Sequence, residues 1–500
     1  MRRLIEQFID SITMYRAVLC GLYLMVATAL GLSLFNQLSF TIGSLIVTLI
    51  ILLVVSYAVN RLFAWTFSVP YNPESWQITA LIIFFLIFPQ SDSKGYWYVA
   101  IIAAIAMASK YLLAIRGRHI FNPAAVAVAI GGLLGILGAT WWIGTLYLLP
   151  VVVIVGFLIT WKLRHFWMVG LYMFVSLVMA AVLAKVGGHD VGEAVKGAVT
   201  SGPMVFAATI MLTEPLTSPT TKRAQMFFGV MVGALTGGHL GWISKPDVAL
   251  LVGNVYAFML GARRSITLTY AGTRELAPTI HEFLFKPTHK LKFKPGQYIE
   301  LTLPHAHADD RGVRRVFSIA SRPGAEYLRL GLVVPEAGHS TFKQALVNLE
   351  PGTIVKATQI GGSFTLPSRQ RKSIVLIAGG IGITPFRAML DDLIEKGEKR
   401  QITLFYAVRR QELAVYRDII SQAIRTIGLD VVVVASEPAA GWTGETGRLT
   451  VEMMAKYTPD LAESKIYISG PNAMVQDIQR DLRRYSISAR NIVTDYFTGY

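Results

Sequence analysis

Ile377-Ala378-Gly379-Gly380-Ile381-Gly382-Ile383-Thr384-Pro385 closes an apolar run, 373–378, and opens a helical stretch, 385–396, with a proline at its start. A buried strand that breaks into glycines and then into a helix is the local grammar of a dinucleotide turn. The missing Cβ atoms let a pyrophosphate approach the backbone at the helix N-terminus. Two further strand-like runs, 402–406 and 431–434, alternate with helical segments, so the region from about residue 369 reads as a parallel α/β domain.

Working upstream, Arg315-Val316-Phe317-Ser318 lies about sixty residues before the glycine turn. It belongs to a stretch of short alternating runs, such as 265–270 and 298–303, punctuated by Gly and Pro, which is the pattern of a small antiparallel barrel. Before residue 265 the grammar is different again. Of the 500 residues 53% are hydrophobic and only 16% charged, with mean hydropathy +0.48, and nearly all the apolar excess sits in this first half. The expected organisation is multidomain: a polytopic α-helical membrane domain over 1–264, an antiparallel β-barrel over 265–368 and an α/β dinucleotide-binding domain over 369–500.

About ten hydrophobic spans can be counted: 17–36, 41–59, 76–90, 96–115, 122–137, 143–160, 166–184, 203–213, 225–242 and 248–262. Several approach the ~20 residues that cross a bilayer. With the N-terminus in the cytoplasm, the inner loops and flanks hold thirteen Lys and Arg. The outer ones hold Lys94, Lys185, Lys196 and Lys245. That asymmetry predicts a multi-pass protein of the cell membrane with both termini cytoplasmic. Met1-Arg2-Arg3 does not read as a cleavable signal, since a long span follows and more come after it.

The formal net charge is +16, divided as +9 up to residue 264 and +7 beyond it. Anionic lipid headgroups and a phosphate-rich cofactor account for that sign without nucleic acid. Cys20 is the one cysteine, which excludes an internal disulfide and a self-contained iron–sulfur cluster, and no metal site is expected.

The motifs carry a resemblance. Residues 265–500 resemble the ferredoxin–NADP reductase superfamily, an FAD barrel joined to an NAD(P) domain. The resemblance implies that Arg315 pairs with the FAD pyrophosphate, that Phe317 lies against the isoalloxazine or ribityl chain, and that Ser318 faces N5. Gly338-His339-Ser340-Thr341 is similar to the second flavin-phosphate element, with Gly338, Ser340 and Thr341 in the binding positions. The terminal aromatic, Tyr500, would cover the flavin. Gly379, Gly380, Gly382, Thr384 and Pro385 match the nicotinamide turn. Ser469-Gly470-Pro471 stands where the family has Cys-Gly-Pro beside the nicotinamide, so Ser318 and Ser469 are the expected catalytic positions, and the serine at 469 puts the rate of hydride transfer in question. Arg409 and Arg410 follow a strand at the usual place of the adenosine ribose. A basic pair there suits a 2′-phosphate and favours NADPH, yet NADH-using members also carry an arginine nearby, so both cosubstrates stay open.

The membrane half is similar to the D subunit of the Rnf complex and the B subunit of the sodium-pumping NADH:quinone oxidoreductase. Phe121-Asn122-Pro123-Ala124-Ala125 and Leu212-Thr213-Glu214-Pro215-Leu216-Thr217-Ser218-Pro219-Thr220-Thr221 carry this likeness. It implies a second flavin, FMN, near Asn122, Glu214, Thr217 and Thr220. The family's covalent attachment motif is displaced here, the nearest threonine being Thr200 in Gly197-Ala198-Val199-Thr200, so a noncovalent flavin is expected.

The functional expectation is a membrane NAD(P)H dehydrogenase. Electrons would pass from NAD(P)H through FAD to a membrane flavin and on to an extracytoplasmic acceptor or a quinone. A redox-driven sodium or proton pump is the alternative. A haem-based reductase stands further off, because His119, His165, His189 and His239, the histidines before residue 265, lie near span ends rather than stacked as axial pairs.

Overall fold

The computed structural model describes residues 13–67, 73–115, 118–200, 203–238, 240–260, 266–305, 309, 313–336, 340–368 and 372–497. The chain forms two compact units, 1–263 and 264–500.

The first unit is helical: α1 (Met14–Leu34), α2 (Ile42–Thr66), α3 (Pro73–Leu86), α4 (Ser93–Leu112), α5 (Pro123–Leu133), α6 (Leu149–Leu163), α7 (Phe166–Val186), α8 (Val191–Thr200), α9 (Met204–Phe206), α10 (Lys222–Gly237) and α11 (Pro246–Met259). Each of the ten apolar segments read from the sequence contains a helix, and these helices differ in length. Among the described residues α1, α2, α4 and α7 are long and apolar enough to cross a membrane, and α8 with α9 and its extension makes a fifth if taken as one broken span.

The others run 11 to 16 residues, about 16–24 Å at 1.5 Å per residue and short of a ~30 Å hydrocarbon core. The shortfall has a local cause: apolar residues were spent on turns. α5 stops at Leu133 and the chain reverses at Gly135, φ 65°. Ile143–Leu148 forms turns before α6, with Ile143 and Leu148 both buried. α9 continues as a π-helical turn over Ala207–Met211.

Close packing of α10 on α7 relies on small residues. A Cβ at Gly229 would lie 2.4 Å from the Met168 carbonyl oxygen, and one at Gly233 2.7 Å from that of Tyr172. The Ser176 hydroxyl donates to Gly233 O at 3.1 Å, the polar cross-link expected between helices that have no aqueous driving force to associate.

The second unit holds two six-stranded sheets. The first comprises β1 (Ile266–Ala277), β2 (Ile280–Pro287), β3 (Tyr298–Thr302), β4 (Arg314–Ser318), β5 (Leu328–Val333) and β6 (Ile354–Gly361). All its pairings are antiparallel, in the order β4-β3-β6-β1-β2-β5. The sheet curls, since Ala320 N, two residues beyond β4, donates to Arg329 O on β5 at 2.9 Å. Phe283, Phe285, Ile299, Leu301, Leu330 and Phe342 fill its interior, and α12 (Thr341–Val347) contributes the last of these.

The second sheet is wholly parallel: β7 (Ile374–Gly379), β8 (Ile402–Val408), β9 (Asp430–Ala435), β10 (Glu445–Thr446), β11 (Lys465–Pro471) and β12 (Ile492–Phe497), ordered β10-β9-β8-β7-β11-β12. Helices α13 (Thr384–Lys396), α14 (Arg417–Ile427), α15 (Val451–Tyr457) and α16 (Asn472–Arg484) connect or flank the strands. β7 is buried along its whole length, as a central parallel strand must be.

The order reverses between β7 and β11. In an open α/β sheet the carboxyl ends of the strands at such a reversal form the ligand crevice.

Candidate functional site

Two motifs meet at that reversal. Gly379 ends β7 and Ser469-Gly470-Pro471 ends β11, with Ala378 and Ser469 in register. Gly380 has φ 51°, a left-handed conformation that favours glycine. Gly382 is required for a different reason: a Cβ there would lie 2.3 Å from the Ser469 carbonyl oxygen and 2.7 Å from Gly470 Cα. The Thr384 hydroxyl donates back to Ile381 O at 3.1 Å, and Pro385 occupies the first turn of α13, where its missing N–H costs nothing. The turn is thus an open backbone cradle at a helix N-terminus, the geometry that receives a pyrophosphate. Ser469 is fully buried, and its hydroxyl has no hydrogen-bond partner among the described residues.

Arg409 and Arg410 follow β8, both exposed. Arg409 is engaged by Glu437, whose two carboxylate oxygens each lie 2.9 Å from its Nε.

On the barrel, β4 carries Arg315, Phe317 and Ser318. The Arg315 guanidinium lies 5.3 Å from the centre of the Phe342 ring, and Phe317 packs on the same ring at 5.9 Å. Arg315 also pairs with Asp309 at 3.5 Å and donates to Arg314 O. Asp309 accepts in turn from Thr341 N at 3.1 Å, while the Thr341 hydroxyl accepts from Asp309 N at 3.0 Å. Ser340 caps α12 by accepting from Lys343 N. Arg315, Phe317, Ser340 and Thr341 therefore gather around Phe342 and Asp309, two residues the sequence reading did not single out. Gly338 and Tyr500 lie outside the described residues.

Ser318 links the two sheets, its hydroxyl donating to Asp495 Oδ2 on β12 at 3.3 Å. A second set of contacts joins the barrel to α13. Arg387 is buried, donates to Ala320 O at 2.6 Å and stacks on the Tyr416 ring at 5.3 Å. Asp391, one turn further on, takes Arg322 at 3.7 Å.

Glu282 on β2 is fully buried and held by Arg329 at 2.7 Å. Directly across the strand pair from it is Gly331, against which the Tyr416 hydroxyl rests. Burial, reinforced by the Glu282 charge, pushes the Tyr416 phenol well above its ordinary pKa. None of this junction was visible in the sequence, because Glu282, Arg329, Arg387 and Tyr416 come together only through tertiary pairing.

In the helical unit Asn122, Glu214 and Thr217 also meet. Asn122 Nδ2 donates to Glu214 Oε2 at 2.8 Å and the Thr217 hydroxyl donates to the same oxygen at 2.9 Å. Asn122 Oδ1 caps α5 through Ala125 N, with Pro123 following it as the first helical residue. His119 Nε2 lies 3.5 Å from Glu214 Oε1. Asn254, on α11 and fully buried, accepts from Asn122 N at 2.9 Å and donates to Thr217 O at 3.2 Å. An amide in the middle of an apolar stretch, 248–259, was the signal that could have found it. The hydroxyls of Ser218 and Thr220 are buried without a partner among the described residues.

The histidines have different surroundings. His119 faces Glu214, His165 contacts Gln225 at 3.0 Å, His189 is exposed, and His239 lies outside the described residues. No group of three or more His, Cys, Asp or Glu suited to a metal occurs among the described residues.

Comparison with known proteins matches each half to a family. Residues 376–480 match the oxidoreductase NAD-binding domain, and residues 132–260 match the NQR2, RnfD, RnfE family. One segment in each unit is thus similar to a known family.

Among curated proteins it is 28% identical to the CDP-6-deoxy-L-threo-D-glycero-4-hexulose-3-dehydrase reductase of Yersinia pestis, over 42% of this chain and 61% of that one. It is 26% identical to a flavohemoprotein of Oceanobacillus iheyensis, over 44% of this chain and 55% of the relative. Less than two thirds of either relative's length is therefore covered. A solved structure, the flavohem-like FAD/NAD binding domain of nitric oxide dioxygenase from Vibrio cholerae, aligns with 46% of this chain and 98% of its own, at 19% identity and TM-score 0.41. The NAD-binding match thus falls in the second unit and the NQR2, RnfD, RnfE match in the helical one.

Proposed function

We propose that the chain is a membrane-bound NAD(P)H dehydrogenase that takes electrons from cytoplasmic NAD(P)H and delivers them, through FAD and a second flavin among the helices, to an extracytoplasmic acceptor or a quinone. The observation that carries this reading is the turn at the sheet reversal. Its backbone is bare of Cβ atoms where it meets Ser469 and Gly470, and it lies in the same unit as the Arg315–Ser318 strand.

FAD, when bound, accepts a hydride and can hand on its two electrons singly. This chain's residues supply the setting. The amides after Gly380 and the start of α13 suit the dinucleotide pyrophosphate, and Arg315 suits that of the flavin. Ser318, whose hydroxyl donates to Asp495, would face the flavin, and Ser469, with its buried hydroxyl, would lie on the nicotinamide side. With Arg409 drawn to Glu437, Arg410 is the better candidate for a 2′-phosphate.

In the helical unit, the unpartnered hydroxyls of Ser218 and Thr220 suit a noncovalent FMN. Asn122, Glu214 and Thr217 hold the loop that presents them. The thirteen-to-four charge asymmetry supports cytoplasmic termini, with the shorter apolar helices completing the ten membrane segments. A redox-driven sodium or proton pump is a second reading, favoured by one observation, the hydrogen-bonded Glu214 among apolar helices.

The test is anaerobic reduction of the purified full-length protein. Stoichiometric bleaching of flavin by NADPH or NADH, with about two flavins per chain on acid extraction, supports the proposal. One flavin per chain removes the membrane relay. A protein that cannot be loaded with FAD overturns the whole reading. Activity in vesicles that rises with sodium, or acidifies the lumen, would favour the pump.

A further inference from the structure

The barrel carries a basic segment that neither cofactor site uses. Between β2 and β3 the chain reads Lys286-Pro287-Thr288-His289-Lys290-Leu291-Lys292-Phe293-Lys294, with no acidic residue. Its side chains sort by alternation. Lys290, Lys292 and Lys294 are exposed, whereas Leu291 and Phe293 are half-buried and pack on the barrel core. An extended segment with apolar residues anchored inward must present the intervening lysines together on the outside. Lys286 has an acidic neighbour, Glu326 at 4.0 Å, while Lys290, Lys292 and Lys294 form no ion pair among the described residues.

The segment's place in the topology gives it a partner. β2 ends with Pro287 opposite Leu268, and Thr288 N donates to Thr267 O at 3.1 Å, with the Thr288 hydroxyl donating to the same oxygen at 3.0 Å. The lysines therefore continue past the first residues of β1, at the end by which the chain enters the barrel. Lys356, also exposed, pairs with Thr267 from the other side. Only six residues, seven Cα–Cα steps, lie between Leu260, just after the last apolar helix, and Thr267. A fully extended chain of that length reaches about 25 Å at most.

We propose that Lys290, Lys292 and Lys294 form a docking strip for the anionic headgroups of the bilayer in which this chain's own helices lie. Each lysine held near an anionic leaflet adds roughly fivefold to partitioning, an effect confined to about a Debye length. Three on one strip, tethered by a short linker, are enough to bias the barrel toward the surface. The same segment leads directly into Tyr298, which lies opposite Ser318 on β4.

The test uses the full chain in nanodiscs of phosphatidylcholine alone and of phosphatidylcholine mixed with phosphatidylglycerol, with lysine acetylation read by mass spectrometry. Lys399, exposed in the α/β sheet's surroundings, serves as the internal reference. The expected result is severalfold slower acetylation of Lys290, Lys292 and Lys294 in the anionic discs, with Lys399 unchanged, and loss of that protection at about 1 M salt, where the Debye length falls to ~3 Å. Equal labelling in the two lipids would overturn the proposal, as would protection that survives high salt or that appears equally at Lys399. The readout does not require NAD(P)H or bound flavin, so its failure is separate from failure of the dehydrogenase reading.

Discussion

Gly382 and Ser469 touch backbone to backbone across the reversal of the parallel sheet, leaving 2.3 Å between the Ser469 carbonyl oxygen and the position a Cβ would occupy on Gly382. The glycine turn and the end of β11 are in effect one surface, so a nucleotide bound there, as proposed, would meet both.

Gly382→Ala should therefore be costly, forcing the two segments apart by overpacking worth about 1–3 kcal/mol. Gly380→Ala meets no atom within 4 Å and suffers only from its φ of 51°, a strain of about 1–2 kcal/mol. NAD(P)H titration should show the larger rise in KM for Gly382→Ala, with flavin content kept in both. The reverse order would mean the turn is not held by β11.

Arg315→Ala should weaken FAD binding by roughly 1.5–3 kcal/mol, the worth of a charge-assisted phosphate contact. Equilibrium dialysis of the deflavinated protein checks it. Unchanged affinity would assign Arg315 to holding Asp309 and Phe342 alone.

Glu282→Gln should destabilise the second unit, because it takes the buried partner from half-buried Arg329, and losing a hydrogen bond to a charged group costs about 1.5–3 kcal/mol. Since Gly331 and Tyr416 lie beside it, the barrel and the α/β sheet should lose stability together in a single shifted calorimetric transition. A loss confined to one of them would argue against a shared junction.

Alkali offers a separate check. Burial raises the phenols of Tyr406 and Tyr416, and that of Tyr467 to about 12, from the ordinary 10.0. A raised folded-state pKa means the unfolded chain loses the proton first. The stabilisation is complete below about pH 10 and is lost as pH climbs from there toward the folded values. Denaturant midpoints should fall in that window, and Tyr467→Phe should flatten part of the slope.

Much of the second unit was legible because its signals are local. A strand, three glycines and a proline fall within nine residues, and Arg315, Phe317 and Ser318 share one short strand. Phe342, Asp309, Glu282 and Tyr416 were not legible, since their roles come from register between strands distant in sequence. In the helical unit the two polar motifs brought Asn122, Glu214 and Thr217 into view, and the structure joins them by hydrogen bonds. Counting apolar runs there located helices without fixing their lengths, because hydropathy cannot tell a buried turn such as Ile143–Leu148 from a helix.

Asn254 has a consequence for biogenesis. Its two hydrogen bonds reach partners 132 and 37 residues earlier in the chain. Translation delivers Asn122 and Thr217 well before the amide that ties them together. The polar knot among the helices can close only after α11 has been made and inserted, so any chain that stops short of it leaves those groups unsatisfied. Completion of the last helix is thus a built-in checkpoint on assembly, readable as protease sensitivity in nascent chains arrested before residue 246.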